Sequence, residues 1–563
     1  MDNARVSEIF EELADYLEIQ GEESYKVAAY RKAAKNIRTS PKDIRSLWLS
    51  GALKDIPGVG PAIEKKISEI METGSLSLLE ETRKKTPKGL VELMTVPFVG
   101  PKTARELYMK YGIADKASLI KELNSGSLVE RGFSEKTAKK ILDAVRKLGA
   151  SASRMLLIEA LDAGYSLIDV LSKDSGFRFQ IAGSTRRGSE TVGDIDLIAL
   201  PLEEGKDLLS LRPVLTKGRI VVSGRDKLTW INDSGIQFDF RLASEEDFGA
   251  MMQYFTGSKD HNVQLRTLAQ GHGLKLNEYG LFTQSGERVA GKTEEEIYLK
   301  LGLKFIEPEL REGAGEIEAA EKGTLPKLVD QSSILGDFHV HSNWSDGRDS
   351  MEAMVQECRK LGYRFMVFTD HSQGEKIANG LSEERVKKQS QEISRLQNAY
   401  PDIRIYHGAE VSILRGGRLD YDDVVLKIFD YVVASLHRRF TDDPDVLTDA
   451  VAAAVENRYV DTLGHPTGRL LGRRPEYPLQ MDRLIQRIAK AGKKMELNGQ
   501  PRRMDLPPIY ARRAKDNGVT LVACSDAHSI GELYNMQFAV ILARRAWVDS
   551  DRLYNAHLFE PRR

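Results

Sequence analysis

The sequence predicts a multidomain protein in which an all-α N-terminal region is followed by an α+β region and then by a region of repeated buried strands. Three observations predict this order. Residues 1–150 read as short amphipathic helices, a pair of aspartates opens a strand near residue 195, and six clusters of histidine and carboxylate residues follow residue 334. A chain of 563 residues has room for several hydrophobic cores of ordinary size.

The N-terminal region is predicted to be helical because its apolar residues recur at helical spacing. Val6, Ile9, Phe10, Leu13 and Leu17 mark one apolar face of the first helix. The positions between them are mostly polar or charged, which is typical of a helix that packs on one side only.

Two connections between these helices resemble each other. LKDIPGVGPAIEKKI at 53–67 and LMTVPFVGPKTARELY at 93–108 share the pattern Pro-x-Val-Gly-Pro. This is the form of a helix-hairpin-helix, whose glycine turn exposes backbone N–H groups at a helix N-terminus to a phosphate. The alternative is an ordinary turn between helices. Two copies with lysines just downstream favour DNA, and the contacts expected are Gly58, Gly60, Gly100 and Lys102.

The middle region carries a candidate catalytic site. FQIAGSTRRGSETVGDIDLIAL at 179–200 reads as a strand, a Gly-Ser turn and a second strand that opens with Asp194 and Asp196, whose side chains share one face. A third acid, Asp239, lies in a strand-like run that can pair alongside. Three clustered carboxylates repel one another unless they bind the Mg²⁺ ions that phosphoryl transfer uses. Gly183, Ser184 and Arg187 suit contact with phosphate.

The C-terminal region holds nine candidate metal ligands, each at or just after an apolar run that reads as a buried strand. They are His339, His341, Asp346, His371, Glu410, His437, His465, Asp526 and His528. Neutral imidazoles suit Zn²⁺ or Mn²⁺, and a few carboxylates can bridge the cations. Strand alternation sends the rings of His339 and His341 to one face. Any one of these histidines alone would be read as an ordinary core residue, whereas the series predicts a multinuclear metal site.

Composition excludes a membrane or disulfide-rich protein. No run approaches the ~20 apolar residues that cross a bilayer, and the polar start lacks a signal-peptide core, so a cytoplasmic protein is expected. Cys358 and Cys524 are read as buried core thiols. The net charge of −1 gives no overall basic footprint, so any nucleic-acid surface must be local.

The histidine and carboxylate series resembles the PHP (polymerase and histidinol phosphatase) domain, over about residues 334–563. The resemblance implies a distorted (β/α)7 barrel with its ligands at the C-terminal ends of strands. It implies one metal bound by His339, His341, Glu410 and Asp526, a second by Glu410, His437 and His465, and a third by Asp346, His371 and His528. Up to three Mn²⁺ or Zn²⁺ ions are therefore expected.

The middle region resembles the nucleotidyltransferase palm of X-family, polymerase-beta-like DNA polymerases, and the match includes YFTGSKDHNVQLR at 254–266. The resemblance implies that Asp194, Asp196 and Asp239 bind Mg²⁺ or Mn²⁺, with Asp239 as general base. The residues that it implies around the deoxynucleoside triphosphate are Gly183, Ser184, Arg187, Gly193, Arg154, Tyr254, Phe255, Gly257 and Asn262. Arg266 would contact the template strand. Lys259 stands where better-known relatives have an acid.

The N-terminal domain of that family can also act as a deoxyribose-phosphate lyase through a Schiff-base lysine. The corresponding residue is Lys66, with Lys26 and Tyr30 near the 5′-phosphate pocket. A neighbouring phosphate-contact lysine of the family is Ala62 in this chain. This activity needs an amine with a lowered pKa, which a sequence does not show.

Six segments are expected. They are two helix-hairpin-helix domains (1–88 and 89–150), the palm (151–242), a nucleotide-selecting thumb (243–315), a linker (316–333) and the barrel (334–563). An X-family palm followed by a PHP domain resembles the bacterial and archaeal enzymes that couple gap filling to a 3′→5′ exonuclease. We therefore predict a monomeric repair polymerase that acts on gapped or 3′-recessed duplex DNA, in base excision repair, with abasic-site cutting a further expectation.

Two alternatives remain open at this point. The barrel metals suit a small phosphoester or pyrophosphate as well as DNA. The barrel could also be only a metal-stabilised platform in a protein that binds DNA ends. Complete ligand and aspartate sets argue against a scaffold. Seven basic residues near the barrel ligands favour a polyanion, and they are Arg438, Arg439, Arg469, Arg473, Arg474, Arg502 and Arg503.

Overall fold

The computed structural model describes residues 3–40, 44–85, 93, 99–135, 137–139, 141–142, 154–441 and 443–561. Two units, Met1–Ser153 and Arg154–Arg563, make up the chain. In the described part, no helix is both long enough and apolar enough to cross a bilayer.

The first unit is helical, as predicted. Its helices are α1 (Asn3–Gln20), α2 (Ser24–Thr39), α3 (Ile44–Leu49), α4 (Pro61–Thr73), α5 (Ser77–Lys85), α6 (Pro101–Tyr111), α7 (Lys116–Ser125) and α8 (Ser127–Glu130). The five apolar residues predicted to face the core from α1 are all buried. Helices α4 and α6 each begin with a proline that directly follows a glycine. Proline is favoured as the first residue of a helix.

The second unit begins with a five-stranded sheet. Its helices and strands are β1 (Met155–Leu156), α9 (Leu157–Asp174), β2 (Phe177–Ile181), α10 (Gly183–Arg186), β3 (Thr191–Val192), β4 (Ile195–Pro201), β5 (Gly218–Ser223), β6 (Lys227–Asn232) and β7 (Gln237–Leu242). The strand order is β2-β4-β7-β6-β5, and only β4 and β7 run parallel. Strands β1 and β3 form a separate antiparallel pair.

A smaller α+β part follows the sheet. Its elements are α11 (Phe248–Thr256), α12 (Lys259–Gly271), β8 (Leu274–Asn277), β9 (Gly280–Thr283), β10 (Arg288–Ala290), α13 (Glu294–Lys300) and α14 (Glu316–Glu321). Strands β8 to β10 form an antiparallel sheet. Buried leucine, isoleucine and tyrosine side chains of α12, α13 and the following turn make its core.

The segment predicted as a linker differs from that expectation. Its first part is helix α14, and Ile317, Ala319 and Ala320 pack into the core just described. The carboxylate of Glu316 is fully buried, lies 2.8 Å from His261 Nδ1, and accepts hydrogen bonds from two backbone N–H groups. The charged residues of this segment predicted exposure to solvent, but these buried polar contacts satisfy the carboxylate of Glu316 inside the fold.

The C-terminal part is a nearly closed parallel barrel. Its elements are β11 (Gly336–Val340), α15 (Met351–Lys360), β12 (Phe365–Phe368), α16 (Glu383–Ala399), β13 (Arg404–Ser412), α17 (Asp423–Leu426), β14 (Tyr431–Ser435), α18 (Pro444–Val455), β15 (Thr462–Gly464), α19 (Met481–Lys490), β16 (Lys494–Asn498), α20 (Pro508–Asp516), β17 (Thr520–Cys524) and α21 (Met536–Arg545). The seven strands pair in chain order, and Val340 forms a parallel bridge with Ala527, beyond the last strand.

Burial explains the apolar runs in these strands. Both faces of a parallel sheet are covered, by helices outside and by packed side chains inside, so the strands are almost continuously apolar. Cys358 and Cys524 are buried thiols, as predicted. The predicted fold class, with helical N-terminal domains, an α+β centre and a (β/α)7 barrel, is confirmed.

Candidate active sites

The central sheet brings together the three predicted aspartates. Strands β4 and β7 are parallel neighbours, and Asp196 stands opposite Asp239 in their register. Asp194 directly precedes β4. Ile195 and Leu197 point to the other face and are fully buried. The alternation of one strand and the parallel pairing of two therefore place three carboxylates on one side of the sheet.

Electrostatics at this face are unfavourable without a counter-charge. Burial, followed by the charges of Asp194 and Asp239, raises the pKa of Asp196 to about 7. The pKa of Asp194 is raised by burial and by Asp239. A raised pKa means that the ionised form is destabilised, so bound cations would offset the charge of this face. Asp239 is oriented by hydrogen bonds from Gln237 Nε2, at 2.8 Å, and from Thr229 Oγ1.

Gly183 is required by the fit between the short helix α10 and Asp196. A Cβ at position 183 would lie 2.1 Å from Asp196 Oδ2, and the backbone there has φ +65°. Only glycine has both the space and the conformational freedom. The Gly-Ser turn predicted from the sequence therefore lies directly against the carboxylates.

The residues predicted to bind the nucleotide surround this face. The guanidinium of Arg187 is anchored on two sides. Its Nε lies 3.2 Å from Glu312 Oε1, and its Nη1 donates a hydrogen bond to the Thr256 carbonyl at 2.5 Å. Arg154 donates to the hydroxyl and the carbonyl of Thr191. Ser184 is partly buried and Gly193 is exposed next to Asp194.

The remaining nucleotide and template residues lie at the end of α11 and the start of α12. The rings of Tyr254 and Phe255 meet edge to face, with centroids 5.2 Å apart. A Cβ at Gly257 would lie 3.3 Å from Arg187 Nη1. The amide of Asn262 donates to the Tyr254 carbonyl and accepts from Gln253. Arg266 is held by the Asn262 carbonyl at 3.3 Å.

In the N-terminal unit the predicted hairpin glycines stand where α4 and α6 begin. Gly60 and Gly100 directly precede these helices, and Gly58 has φ +84°. Lys66 Nζ lies 5.7 Å from the centre of the Tyr30 ring and contacts the Ala62 carbonyl. Lys26 is exposed and pairs with Glu22 at 3.0 Å. The side chain of Lys102 lies outside the described residues.

The barrel brings together all nine predicted ligands at the C-terminal ends of its strands. Three groups of ligand atoms lie within 4.8 Å of one another. They are His341, Asp346, His371 and His528; His339, His341 and Asp526; and His371, Glu410 and His437. Among the described residues, every group of this tightness belongs to the barrel. These groups hold eight of the nine ligands, with His341 and His371 each in two groups. His465 lies outside the groups and reaches the cluster through Glu410, 2.8 Å away.

Glu410 lies at the centre of this cluster and faces five histidines. Its carboxylate oxygens are 2.8 Å from His465, 2.9 Å from His371, 3.0 Å from His437, 3.5 Å from His339 and 3.6 Å from His341. Burial opposes its ionisation, but the positive charge of His437 and His371 holds the pKa of Glu410 well below its usual range. In this cluster acids and imidazoles therefore compensate one another.

The donor set fits divalent cations. Both ring nitrogens of His341 and Nε2 of His339 are buried without a hydrogen-bond partner. His341 Nε2 lies 3.4 Å from Asp526 Oδ1, but the two atoms do not form a hydrogen bond. Ligands of one tetrahedral zinc ion, with bonds of about 2.0–2.1 Å, stand about 3.3 Å apart. Burial and the charges of His528 and His371 lower the pKa of His341 to about 3, which keeps its imidazole neutral.

Backbone conformation marks two ligand positions. Asp526 has φ +54° and His465 has φ +30°, a region that residues other than glycine rarely adopt. Such conformations concentrate at functional sites, where the surrounding structure holds them. Here the strain lies at strand ends, where it turns the side chains toward the ligand cluster.

Sequence reasoning missed the residues that orient the ligands. His339 Nδ1 lies 2.7 Å from Glu496 Oε1, and Asn498 donates to Asp526 at 3.0 Å. Glu496 is fully buried in strand β16. An acid inside the apolar run KMELN is the signal that could have found it. Carboxylates behind metal-binding histidines fix ring orientation and raise ligand basicity.

These two sites define a class of protein, a nucleotidyltransferase-type palm joined to a PHP-type metal barrel. Family matches agree with this class. The helix-hairpin-helix domain family matches residues 1–76, the SAM-like helix-hairpin-helix tandem 90–147, the DNA polymerase beta thumb 251–312, and the PHP domain 337–500.

Similarity to whole proteins defines the family. The chain is 38% identical to the DNA polymerase/3′-5′ exonuclease PolX of Bacillus subtilis over 97% of its own length and 96% of that protein. The chain therefore belongs to the PolX family of X-family polymerases with a PHP domain. It is 24% identical to DNA polymerase lambda of Rattus norvegicus over 55% of its length and 56% of that protein. A protein named probable phosphatase from Thermoanaerobacter pseudethanolicus is 27% identical over 39% of the chain and 90% of that protein.

Proposed function

We propose that this protein is a DNA repair polymerase that fills short gaps, and that its barrel removes nucleotides from 3′ ends. The observation that carries the polymerase is the set of three carboxylates on β4 and β7, packed against the Gly183 turn. The relative from Bacillus subtilis bears both activities in its name. Gapped or 3′-recessed duplex DNA and deoxynucleoside triphosphates are the substrates that this proposal requires.

Divalent cations at the two sites would lower the pKa of an attacking hydroxyl or water and stabilise charge on phosphoryl oxygens. We assign Asp194, Asp196 and Asp239 to Mg²⁺ or Mn²⁺, and the nine barrel ligands to Mn²⁺ or Zn²⁺. To Asp239, whose oxygens accept hydrogen bonds from Gln237 and Thr229, we assign the role of accepting the proton of the primer 3′-hydroxyl.

The residues around the palm would bind and orient the nucleotide. Ser184 and the backbone N–H groups at the start of α10 suit phosphate oxygens. Arg187 offers Nη2, which has no hydrogen-bond partner among the described residues, while its other nitrogens are anchored. The aromatic pair Tyr254 and Phe255 would crowd the sugar 2′ position. Asn262 would contact the base only by exchanging its present hydrogen bond to Tyr254.

For the barrel, we propose a 3′→5′ exonuclease. Basic side chains support a polyanionic substrate, because Arg503 Nε lies 3.4 Å from the ligand Asp526 and is partly exposed. An arginine next to a ligand can contact the phosphate being cleaved without leaving the site. Of the other arginines named above, Arg469 is buried and its charge is paired with Glu190 at 3.2 Å, so it does not add to this basic surface.

The first experiment uses a 5′-labelled duplex with a one-nucleotide gap, in Mg²⁺ or Mn²⁺, with and without deoxynucleotides. Extension with nucleotides and shortening of the 3′ end without them are the expected results on a sequencing gel. Extension without shortening would remove the exonuclease from the proposal and leave the polymerase. Failure to extend under any metal condition would overturn the polymerase assignment.

A small phosphoester is the second candidate substrate for the barrel. It is favoured by the similarity of the barrel to a protein named probable phosphatase, of which it covers 90%. Release of phosphate from p-nitrophenyl phosphate or pyrophosphate, compared with release of nucleotides from DNA at equal enzyme concentration, distinguishes the two. A purely structural barrel is disfavoured because orphaned, buried imidazole nitrogens serve no structural purpose.

Lyase and abasic-site activities form a separate part of the proposal, within base excision repair. Lys66 beside the Tyr30 ring is the candidate Schiff-base residue. Borohydride reduction on a 5′-deoxyribose-phosphate substrate should trap a covalent adduct that Lys66→Ala abolishes. Trapping that persists in this variant would transfer the role to another amine. A monomeric state and a cytoplasmic location stay predictions.

A further inference from the structure

The loop that follows the Gly-Ser turn of the palm is seated on the last helix of the barrel. Gly188 has φ +67°, and a Cβ there would lie 2.4 Å from Ile541 Cγ2 on helix α21. Any side chain at this position would therefore push the loop away from the barrel. The close approach therefore joins the barrel to the palm loop that begins at Arg187.

Arg545, the last residue of α21, makes three contacts, two with this loop and one with Glu312. Its Nη1 donates to the Gly188 carbonyl at 3.3 Å and to Glu190 Oε2 at 2.5 Å. Its Nη2 donates to Glu312 Oε1 at 3.3 Å. Only a planar guanidinium presents donors in a fixed fork that reaches three acceptors at once. Arg545 is almost buried, with 11% of its side chain exposed, so these contacts are poorly screened.

Glu312 links Arg545 of the barrel to Arg187 of the palm. The oxygen that accepts from Arg545 is also 3.2 Å from Arg187 Nε. Arg187 is thus fixed through Nε and Nη1. Its Nη2, which has no hydrogen-bond partner among the described residues, can bind a phosphate without rotation of the side chain. Arginine side chains lose considerable rotamer freedom on binding an anion, and anchoring in advance removes that loss.

We infer that Arg545, a residue of the barrel, is a positioning residue of the polymerase: through Glu312 it holds Arg187 ready for the triphosphate. This inference rests on the proposed polymerase function. It means that the barrel contributes to nucleotide affinity, apart from any nuclease that it carries.

Steady-state gap filling over a series of deoxynucleotide concentrations tests the inference. Arg545→Ala should raise KM for the nucleotide about tenfold, the equivalent of one charge-assisted hydrogen bond, and change kcat less than about threefold. Arg545→Lys should recover part of the loss, because an ammonium group reaches one carboxylate but cannot bridge all three acceptors. A merely structural role would lower kcat with the fraction of folded enzyme and leave KM unchanged.

Arg544→Ala is the matched control. Arg544 lies on the same helix and pairs with Glu309 at 2.6 Å, but no contact joins it to Arg187. KM should stay within about twofold of wild type in this variant. An equal rise of KM in both variants would show that general loosening of the α21 contact is responsible, and would overturn the inference.

A second variant and a second readout keep the test decisive. If Arg545→Ala does not fold, Glu312→Gln, whose side chain is one-third exposed, removes the same anchor and should also raise KM. Binding of the deoxynucleotide to a gapped duplex with a dideoxy-terminated primer needs no turnover. If the wild type does not extend primers but Arg545→Ala and Glu312→Gln weaken this binding, the proposed reaction fails and the positioning role stands. Unchanged binding in both variants overturns the positioning role.

Discussion

The palm and the barrel both place acids at strand ends for metals, but they balance charge in opposite ways. In the palm three acids meet, and burial and mutual repulsion outweigh the nearby arginines and raise the pKa of Asp194 and Asp196. In the barrel Glu410 is surrounded by histidines that hold its pKa well below its usual range. The palm site therefore depends on cations for its charge balance, whereas the barrel site is organised by its own side chains. We expect the two sites to respond differently to the same kind of substitution.

The largest expected effect separates the two activities. Asp194→Ala with Asp196→Ala should reduce synthesis at least about a thousandfold, because both cations lose their ligands, and should spare 3′ shortening. Primer extension and 3′ digestion are measured on the same gapped substrate. Synthesis retained by this double variant would refute the assignment of the palm.

The reverse separation is expected from the barrel. His339→Ala with His341→Ala should reduce 3′ shortening at least about a hundredfold, since His341 belongs to two ligand groups and His339 to one of them, and should spare synthesis. Metal content by mass spectrometry should fall with activity. If shortening persists while metal is lost, the nuclease lies elsewhere in the protein.

Stability without metal should change in opposite directions at the two sites. Glu410→Gln should destabilise the barrel by about 3 kcal/mol, because it leaves buried histidines without their counter-charge. Asp196→Asn should stabilise the palm by about 1 kcal/mol, because it removes a repelling charge. Thermal unfolding in a chelator, followed for both variants, measures the difference. Glu384→Gln, at an exposed surface pair, is the control and should change little. Shifts of the same sign at both sites would break the comparison.

The smallest expected effect concerns the contact between palm and barrel. Burial disfavours ionised Glu190, but Arg545 and Arg469 outweigh burial and lower its pKa from 4.5 to about 2. A lowered pKa in the folded state contributes stability above pH 4.5, which is lost as the pH falls toward 2. Glu190→Gln should therefore lower stability by about 2 kcal/mol at pH 7 and by progressively less below pH 4.5. Melting temperatures of both proteins between pH 7 and pH 3 test this; a constant difference would contradict it.

Much of the site could be predicted because strand periodicity is local. The alternation that places Asp194 and Asp196 on one face, and His339 and His341 on one face, follows from two residues of sequence. The pairing of Asp196 with Asp239 was also accessible, since both lie in short strand-like runs. Residue roles at both sites stay predictions, but the structure brings these residues together.

Other features depend on contacts between distant parts of the chain. Glu496 supports His339 across 157 residues, and Glu190 meets Arg469 across 279. The residues next to Glu496 and Glu190 in the sequence do not predict these partners. Residues 316–321 suggested a solvated linker because they are charged, yet Glu316 is buried against His261. From sequence alone, a buried charged residue with a distant partner cannot be distinguished from a charged residue on the surface.

The seat of Gly188 on Ile541 has a consequence for how this protein can evolve. Trp547, just beyond α21, packs into the core of the part that contains α12 and α13. A descendant that lost the barrel would expose this apolar surface, leave Glu190 without Arg469 and Arg545, and leave Glu312 with Arg187 alone. We expect gene fission at residue 334 to yield a poorly soluble polymerase fragment unless substitutions at these contacts accompany it. The fusion of the two parts is therefore easier to keep than to lose during evolution.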